Sequence, residues 1–186
     1  MIPAEITLAD GTVVRLRPIT PADVALLIDI FAHMGAESRY LRFHEATREP
    51  DVMRVLAEAQ AIAEMPLAAG QGWLALARTP DGALVPLGAV RYVLASDGES
   101  AEFALSVRDD YQRRGLGTWF MEYMLDQART AGLARLFGYV QHENEGMWRL
   151  LQRLSVEVET RFEEGEPVVT LFVQRQREPL SPTPRP

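Results

Sequence analysis

The middle of this chain predicts three consecutive β-strands joined by very short connections, and this pattern constrains the fold more than any other feature. Apolar and β-branched residues dominate 73–78, 84–94 and 101–108, and the turn residues Pro80-Asp81-Gly82 and Asp97-Gly98 separate these runs. Connections this short join antiparallel neighbours, because a parallel pair needs a crossover of a dozen or more residues. The sequence therefore predicts an antiparallel meander at the centre of the fold.

The segments on either side of the meander predict a mixed α/β domain. Helical spacing of apolar residues, with Thr20 as the cap of the first helix and Asn144 as the cap of the last, indicates about four helices. The predicted helices are 21–34, 51–64, 116–131 and a short one after Asn144; the further predicted strands are 5–8, 13–17, 134–141, 156–162 and 168–174. We expect one twisted, mostly antiparallel sheet of about six or seven strands flanked by these helices.

Composition excludes several classes of chemistry. The 186 residues contain no cysteine, and all 19 basic residues are arginine, which excludes disulfides, thiolate metal sites, cysteine nucleophiles and Schiff-base lysines. His33, His44 and His142 share no ligand spacing, so we expect no metal. The net charge of −7 disfavours nucleic-acid binding.

No apolar run approaches the ~20 residues of a membrane span, and the first residues lack the basic region of a secretion signal. We therefore expect a cytoplasmic protein with no membrane partner. Residues 1–178 are predicted to form a single domain, and the proline-rich 179–186 a disordered tail.

The segment 107–118 carries the most specific chemical signal. It joins a predicted strand to an amphipathic helix, and Gly115 and Gly117 stand where the helix begins. Free N–H groups at a helix N-terminus bind anions, and glycine lets a phosphate approach the backbone closely. The alternative is an ordinary glycine-containing turn with solvated arginines, and these residues alone do not exclude it.

Gln112-Arg113-Arg114-Gly115-Leu116-Gly117 resembles the Gln/Arg-x-x-Gly-x-Gly/Ala signature with which the GNAT superfamily of N-acetyltransferases binds acetyl-CoA. Asn144 and the order of elements fit the same family. The segments 15–19, 38–43 and 101–105 are similar to the acetyltransferase domain of Pat-type protein lysine acetyltransferases.

The resemblance implies a GNAT fold with acetyl-CoA as acyl donor. Backbone groups of Leu105, Ser106 and Val107 would hold the pantetheine, and Asn144 would contact it. The N–H groups of the signature loop would bind the pyrophosphate; the residues concerned are Gln112, Arg113, Arg114, Gly115, Leu116, Gly117 and Thr118.

The same resemblance makes Glu102 the expected general base, because Pat-like enzymes are proposed to keep a glutamate there. Strand alternation does not decide whether Glu102 faces the site or merely solvent. Many GNAT enzymes place a tyrosine seven residues after the helix asparagine, but this chain has Leu151 there. We interpret 38–43 as an amphipathic connector rather than as acceptor-binding residues, although Ser38, Arg39, Tyr40 and Arg42 are the alternative candidates for that role.

We therefore expect acetyl transfer from acetyl-CoA to a primary amine, with a protein lysine favoured as acceptor. The alternatives are a small-molecule amine N-acetyltransferase and a non-catalytic acyl-CoA-binding regulatory module. The sequence leaves the oligomeric state open, and a homodimer is compatible with it.

Overall fold

The computed structural model describes residues 2, 4–43, 51–79, 82–163 and 165–176, so the predicted tail at 179–186 lies outside the described residues. The strands and helices follow in chain order: β1 (Glu5–Thr7), β2 (Val13–Pro18), α1 (Val24–Ala32), α2 (Ala36–Phe43), α3 (Val52–Ala63), β3 (Gly70–Arg78), β4 (Leu84–Leu94), β5 (Ser100–Val107), α4 (Leu116–Thr130), β6 (Arg135–Tyr139), α5 (Glu145–Leu151), β7 (Val156–Glu163) and β8 (Glu166–Gln176). Within the described ranges, no helix is both long and apolar enough to cross a bilayer.

The strands form one sheet in the order β1-β2-β3-β4-β5-β6-β8-β7, and only the β5–β6 pair is parallel. The predicted α/β class and the central meander β3-β4-β5 are confirmed. The sheet has eight strands rather than six or seven, since even the short edge strand β1 pairs with β2 along its whole length. A fifth helix, α2, occupies the segment that the sequence predicted as a connector.

Helices cover both faces of the sheet. One core lies under α4 and α5, where Phe120, Met121 and Met124 are fully buried against the strands. The other lies under α1 and α3, where Leu27 and Ile30 contact Leu74 of β3. Because side chains alternate along a strand, the two faces of β5 meet different helical layers.

The sheet separates between β5 and β6. These strands pair only from Ser100 opposite Arg135 to Glu102 opposite Phe137, although β5 continues to Val107. The ring of Phe103, the first unpaired residue, lies against Gly138, where an added Cβ would come within 2.9 Å of it. The fold therefore leaves the second half of β5 without a neighbour on its β6 side.

The entry into α1 depends on an acid inside the protein. Asp23 is 3% exposed and accepts two hydrogen bonds from the Arg17 guanidinium, at 2.6 and 2.7 Å, while Thr20 donates to it from both its backbone N–H and its hydroxyl. The hydrogen bonds from Arg17 are the main reason that the pKa of Asp23 is lowered to about 2. The ionised carboxylate thereby joins β2 to the start of the helical layer.

We predict that Asp23→Asn lowers the free energy of unfolding by about 2 kcal/mol at pH 7, as the depressed pKa implies. The folded pKa lies below the unfolded value of 3.8, so this stabilisation is present above pH 4 and is lost as the pH falls towards 2. Urea unfolding of both proteins at several pH values should show the difference shrinking over that range. A difference independent of pH would contradict the assignment.

Candidate active site

An open cleft of about 1260 Å³ lies where β5 and β6 separate, and the N-terminus of α4, helix α5 and helix α2 complete its walls. Ten of the twelve residues predicted for the site line this cleft. They are Glu102, Leu105, Ser106, Val107, Gln112, Arg113, Gly115, Gly117, Thr118 and Asn144. The other two direct their side chains elsewhere: Leu116 is buried in the core, and Arg114 bonds Asp10. Any contribution from these two would come from their backbone N–H groups.

The loop before α4 has a backbone suited to an anion. Arg113 (φ 59°) and Gly115 (φ 94°) both take left-handed conformations, and Arg113 is the only non-glycine residue of the described chain with positive φ. No side chain caps the N-terminus of α4 at Gly115. The N–H groups of the first turn therefore remain available to a ligand, and the positive end of the 15-residue helix dipole adds to the attraction for phosphate.

Gln112 holds this loop in place. Its side-chain amide donates to the carbonyl of Val107 at 3.2 Å and to the hydroxyl of Ser38 at 3.1 Å, which joins the end of β5 to α2. Asp109 adds a second connection, because its carboxylate accepts from the Gly35 N–H at 2.8 Å. Gln112 thus orders the anion-binding loop around the cleft.

The arginines of the segment divide into supporting and exposed ones. Arg108 is buried and pairs with Asp29 at 3.1 Å and Asp110 at 2.9 Å, and its hydrogen bonds lower the pKa of Asp110. Arg114 lies over the ring of Tyr111 at 4.7 Å and pairs with Asp10. Arg113 is exposed at the cleft and forms no ion pair within the described ranges, so its charge is available to an anionic ligand.

Two predicted contact residues also have structural roles. A Cβ on Gly117 would approach Leu150 to 2.9 Å, so this glycine permits the close approach of α4 and α5. The side chain of Asn144 accepts a hydrogen bond from the Met147 N–H at 3.0 Å and caps α5. Both residues therefore shape the wall of the cleft whatever they bind.

The exposed edge of β5 has the form of an unpaired strand. Val90 lies opposite Leu105 and Ala89 opposite Ser106 on the β4 side, while the β6 side of both faces the cleft. A free strand edge presents alternating N–H and C=O groups that an extended amide chain can pair with. Pantetheine contains such amides, so this edge fits the predicted role of Leu105 and Ser106.

Glu102 occupies the last paired position before the strands separate, and its exposed side chain lines the cleft. Arg42 of α2 lies in the same charged cluster. Burial and the nearby positive charge of Arg91 lower the pKa of Arg42 to about 10. The negative charges of Glu58 and Glu102 partly offset this by raising the same pKa. The sequence did not decide to which face of β5 Glu102 points. In the structure its side chain points into the cleft, which Arg42 also lines.

From the sequence, Ser38 and Arg42 of α2 are only alternative candidates for the acceptor side, and Leu41 is not a candidate. The other two alternatives, Arg39 and Tyr40, do not line this cleft. Ser38, Leu41 and Arg42 line the cleft, and their spacing of three and one is that of a single helix face. That spacing was the available signal. Leu151 is buried in the core, so its position supplies no acid group. Among the described residues, no cluster of three or more histidine, aspartate or glutamate side chains has the arrangement of a metal site.

Comparison with known proteins identifies this arrangement. The sequence model of the acetyltransferase (GNAT) domain matches residues 14–157. The chain belongs to the GNAT acetyltransferase family. Members of this family use acetyl-CoA as the acyl donor, and the cleft described above has an unpaired strand edge and an uncapped helix N-terminus that fit such a molecule.

The similar proteins include Pat-type acetyltransferases. The chain is 30% identical over 155 residues to acetyltransferase Pat of Mycolicibacterium smegmatis, covering 82% of this chain but 44% of that protein. The fold matches the crystal structure of the GNAT domain of S. lividans PAT with a TM-score of 0.74 at 24% identity, covering 90% and 94% of the two chains. It also matches yncA from Salmonella typhimurium, solved with its cofactor acetyl-CoA, with a TM-score of 0.62 at 18% identity, covering 89% and 97%.

We predict that Gly115→Ala weakens coenzyme A binding roughly tenfold, because an L side chain in a left-handed conformation costs about 1–2 kcal/mol and the loop relaxes to avoid that cost. Calorimetric titration measures the change. Gly132→Ala is the matched control, since Gly132 (φ 79°) follows the opposite end of α4 and, like Gly115, has nothing within 4 Å of an added Cβ. The two variants should lose similar thermal stability. Equal coenzyme A affinity in both would contradict the role of the loop.

Proposed function

We propose that this protein transfers the acetyl group of acetyl-CoA to a primary amine, and that the acceptor is a lysine side chain of a protein. The supporting observation is that one cleft combines an uncapped helix N-terminus, a free strand edge and an exposed glutamate at the point where the sheet separates. These features supply a phosphate site, a pantetheine site and a proton acceptor in that order along the cleft. The resemblance of segments 15–19, 38–43 and 101–105 to Pat-type protein lysine acetyltransferases supports lysine as the acceptor.

On the donor side, the backbone N–H groups from Arg113 to Thr118 bind the pyrophosphate, and the exposed Arg113 adds a positive charge. The β6-side edge of Leu105 and Ser106 fixes the pantetheine in an extended form. Acetyl-CoA supplies an acetyl group activated as a thioester. Holding that group at a fixed position lowers the activation barrier by more than removal of a proton from the amine would alone.

On the acceptor side, the amine must lose a proton before it can attack. For a lysine of pKa ~10.4, reaching the neutral form at pH 7 costs roughly 4.6 kcal/mol. Glu102 accepts this proton, directly or through one water molecule. Attack by the neutral amine on the thioester carbonyl forms the amide bond, breaks the carbon–sulfur bond and releases the thiolate of coenzyme A. The second proton that the nitrogen loses passes to solvent through the open cleft.

The departing thiolate needs no acid from the Leu151 position. A thiol with a pKa of about 8–9 is a tolerable leaving group, and a proton reaches it from solvent through the open cleft. The reaction is direct transfer between two bound substrates, because the described part of the cleft offers no cysteine or lysine nucleophile to carry the acetyl group.

We predict that Glu102→Gln reduces kcat by about 10²–10⁴-fold, because the amide cannot take the proton. The affinity for acetyl-CoA should remain nearly unchanged, since the variant leaves the phosphate loop and the strand edge intact. Thiol release measures kcat, and calorimetry measures affinity.

Glu99→Gln provides the matched control, as Glu99 is an exposed acid immediately before the same strand but does not line the cleft. Full activity in Glu102→Gln would eliminate the role of Glu102 as the base.

A panel of lysine peptides and small amines distinguishes the proposed function from its alternatives. Transfer to small amines alone indicates a small-molecule enzyme, and tight acetyl-CoA binding without any transfer indicates a regulatory module.

A further inference from the structure

A second, smaller pocket of about 180 Å³ adjoins the cleft on the face of the sheet covered by α1 and α3. Its floor is apolar and includes Leu27, Ile30 and Ala89, whereas its rim is charged. Met34, Arg42 and Ser106 line both the pocket and the cleft, so the two spaces are continuous. Of the residues proposed to bind acetyl-CoA, only Ser106 lines this pocket. The pocket therefore lies on the acceptor side of the site.

The two acids at the rim already have partners. Asp51 caps α3 by accepting a hydrogen bond from the Met53 N–H at 2.9 Å. Glu58 pairs with Arg91 at 3.3 Å. Three arginines, Arg39, Arg42 and Arg54, share the rim with them. Arg42 and Arg54 also interact with other groups, so Arg39 is left to present a positive charge to a ligand at this rim.

Arg39 is the arginine available to a ligand. Its guanidinium lies over the ring of Phe31 at 5.7 Å, and its side chain forms no ion pair or hydrogen bond with any residue in the described part of the chain. Its Nε–H is buried without an acceptor. A donor left in this state costs free energy, and the planar guanidinium can pair with a carboxylate through two parallel hydrogen bonds.

We propose that this pocket binds the acceptor, with an apolar side chain on the floor and a carboxylate paired with Arg39. The inference rests on the proposed function and names its substrate class: an amine acceptor that also carries a carboxylate. That carboxylate comes either from an acidic residue near the target lysine in a peptide or from the α-carboxylate of a free amino acid.

The position of the pocket favours the peptide source. Ser106 at the pocket and Glu102 at the reaction site point to the same face of β5 and stand four residues apart, or about 13 Å along the strand. An extended peptide covers that span in about four residues. We therefore expect the acidic residue within about four positions of the lysine, beside an apolar residue that fills the floor.

The test uses blocked peptides with one central lysine, one leucine and a single glutamate moved through the flanking positions, each matched by a peptide with glutamine instead. Wild-type kcat/KM should favour at least one glutamate peptide over its glutamine partner by about tenfold, the order expected for a charge-assisted hydrogen bond. Arg39→Gln should remove the preference, and Arg39→Lys should keep part of it. The second source of the carboxylate, a free amino acid, is tested by comparing kcat/KM for free lysine with kcat/KM for lysinamide, which lacks the α-carboxylate.

Arg161→Gln is the control, because this exposed arginine lies on β7, outside both pockets, and should keep the full preference. Acetyl-CoA affinity and thermal stability of Arg39→Gln establish that the variant is folded. A preference that survives in Arg39→Gln, or the absence of any preference for a carboxylate in the wild-type protein, would overturn the inference.

The failure of the proposed function is distinguishable from the failure of this inference. Calorimetric titration of the same peptide pairs into the protein saturated with coenzyme A measures the preference without turnover. If no amine is acetylated but the glutamate peptide still binds about tenfold tighter in an Arg39-dependent way, the function is wrong and the pocket is right. If peptides are acetylated equally with glutamate and glutamine, the function holds and the pocket assignment is wrong.

Discussion

The separation of β5 from β6 is the constraint on which the site depends. A parallel pair that continued to Val107 would satisfy the backbone groups of β5 and close the cleft. The bulky ring of Phe103 at the first unpaired position, seated against Gly138, opposes that closure. The unpaired edge costs backbone hydrogen bonds, which the chain recovers in part where Gln112 donates to the carbonyl of Val107. The remaining free groups are those that the donor would use.

Arginine makes the connections that keep this opening in a fixed shape. Arg108 joins the end of β5 to α1, Arg114 joins the phosphate loop to the turn before β2, and Arg17 joins β2 to the start of α1. Each guanidinium pairs with an acid from a distant or differently oriented segment, which suits its planar array of donors. Because these cations have partners, two arginines remain available to ligands: the exposed Arg113, and Arg39, whose side chain has no ion pair or hydrogen bond within the described residues.

The sequence could predict the elements and the glycine-containing loop before α4 because both arise from local signals. The turns around Asp97-Gly98 and the helix start at Gly115 depend on neighbouring residues, and the structure has them within a residue or two of their predicted places. The cluster of Arg42, Glu58 and Arg91 could not be predicted, since it joins three elements, and Glu58 and Arg91 lie 33 positions apart in the sequence. The same holds for Arg114, whose partner Asp10 lies 104 positions away.

Under the proposed function, the proximity of Arg42 to Glu102 explains how one site can both attract an amine and deprotonate it. A carboxylate alone would bind the ammonium form and raise the pKa of the acceptor, which would increase the free-energy cost of reaching the neutral amine. A cation beside it acts in the opposite direction, because it repels the ammonium and favours the neutral form. Arg42 is held close enough to Glu102 and Glu58 for their charges to affect its own pKa. If Glu102 is the base, as proposed, the amine meets it in a local field that is not dominated by negative charge, and α2 supplies the balancing cation.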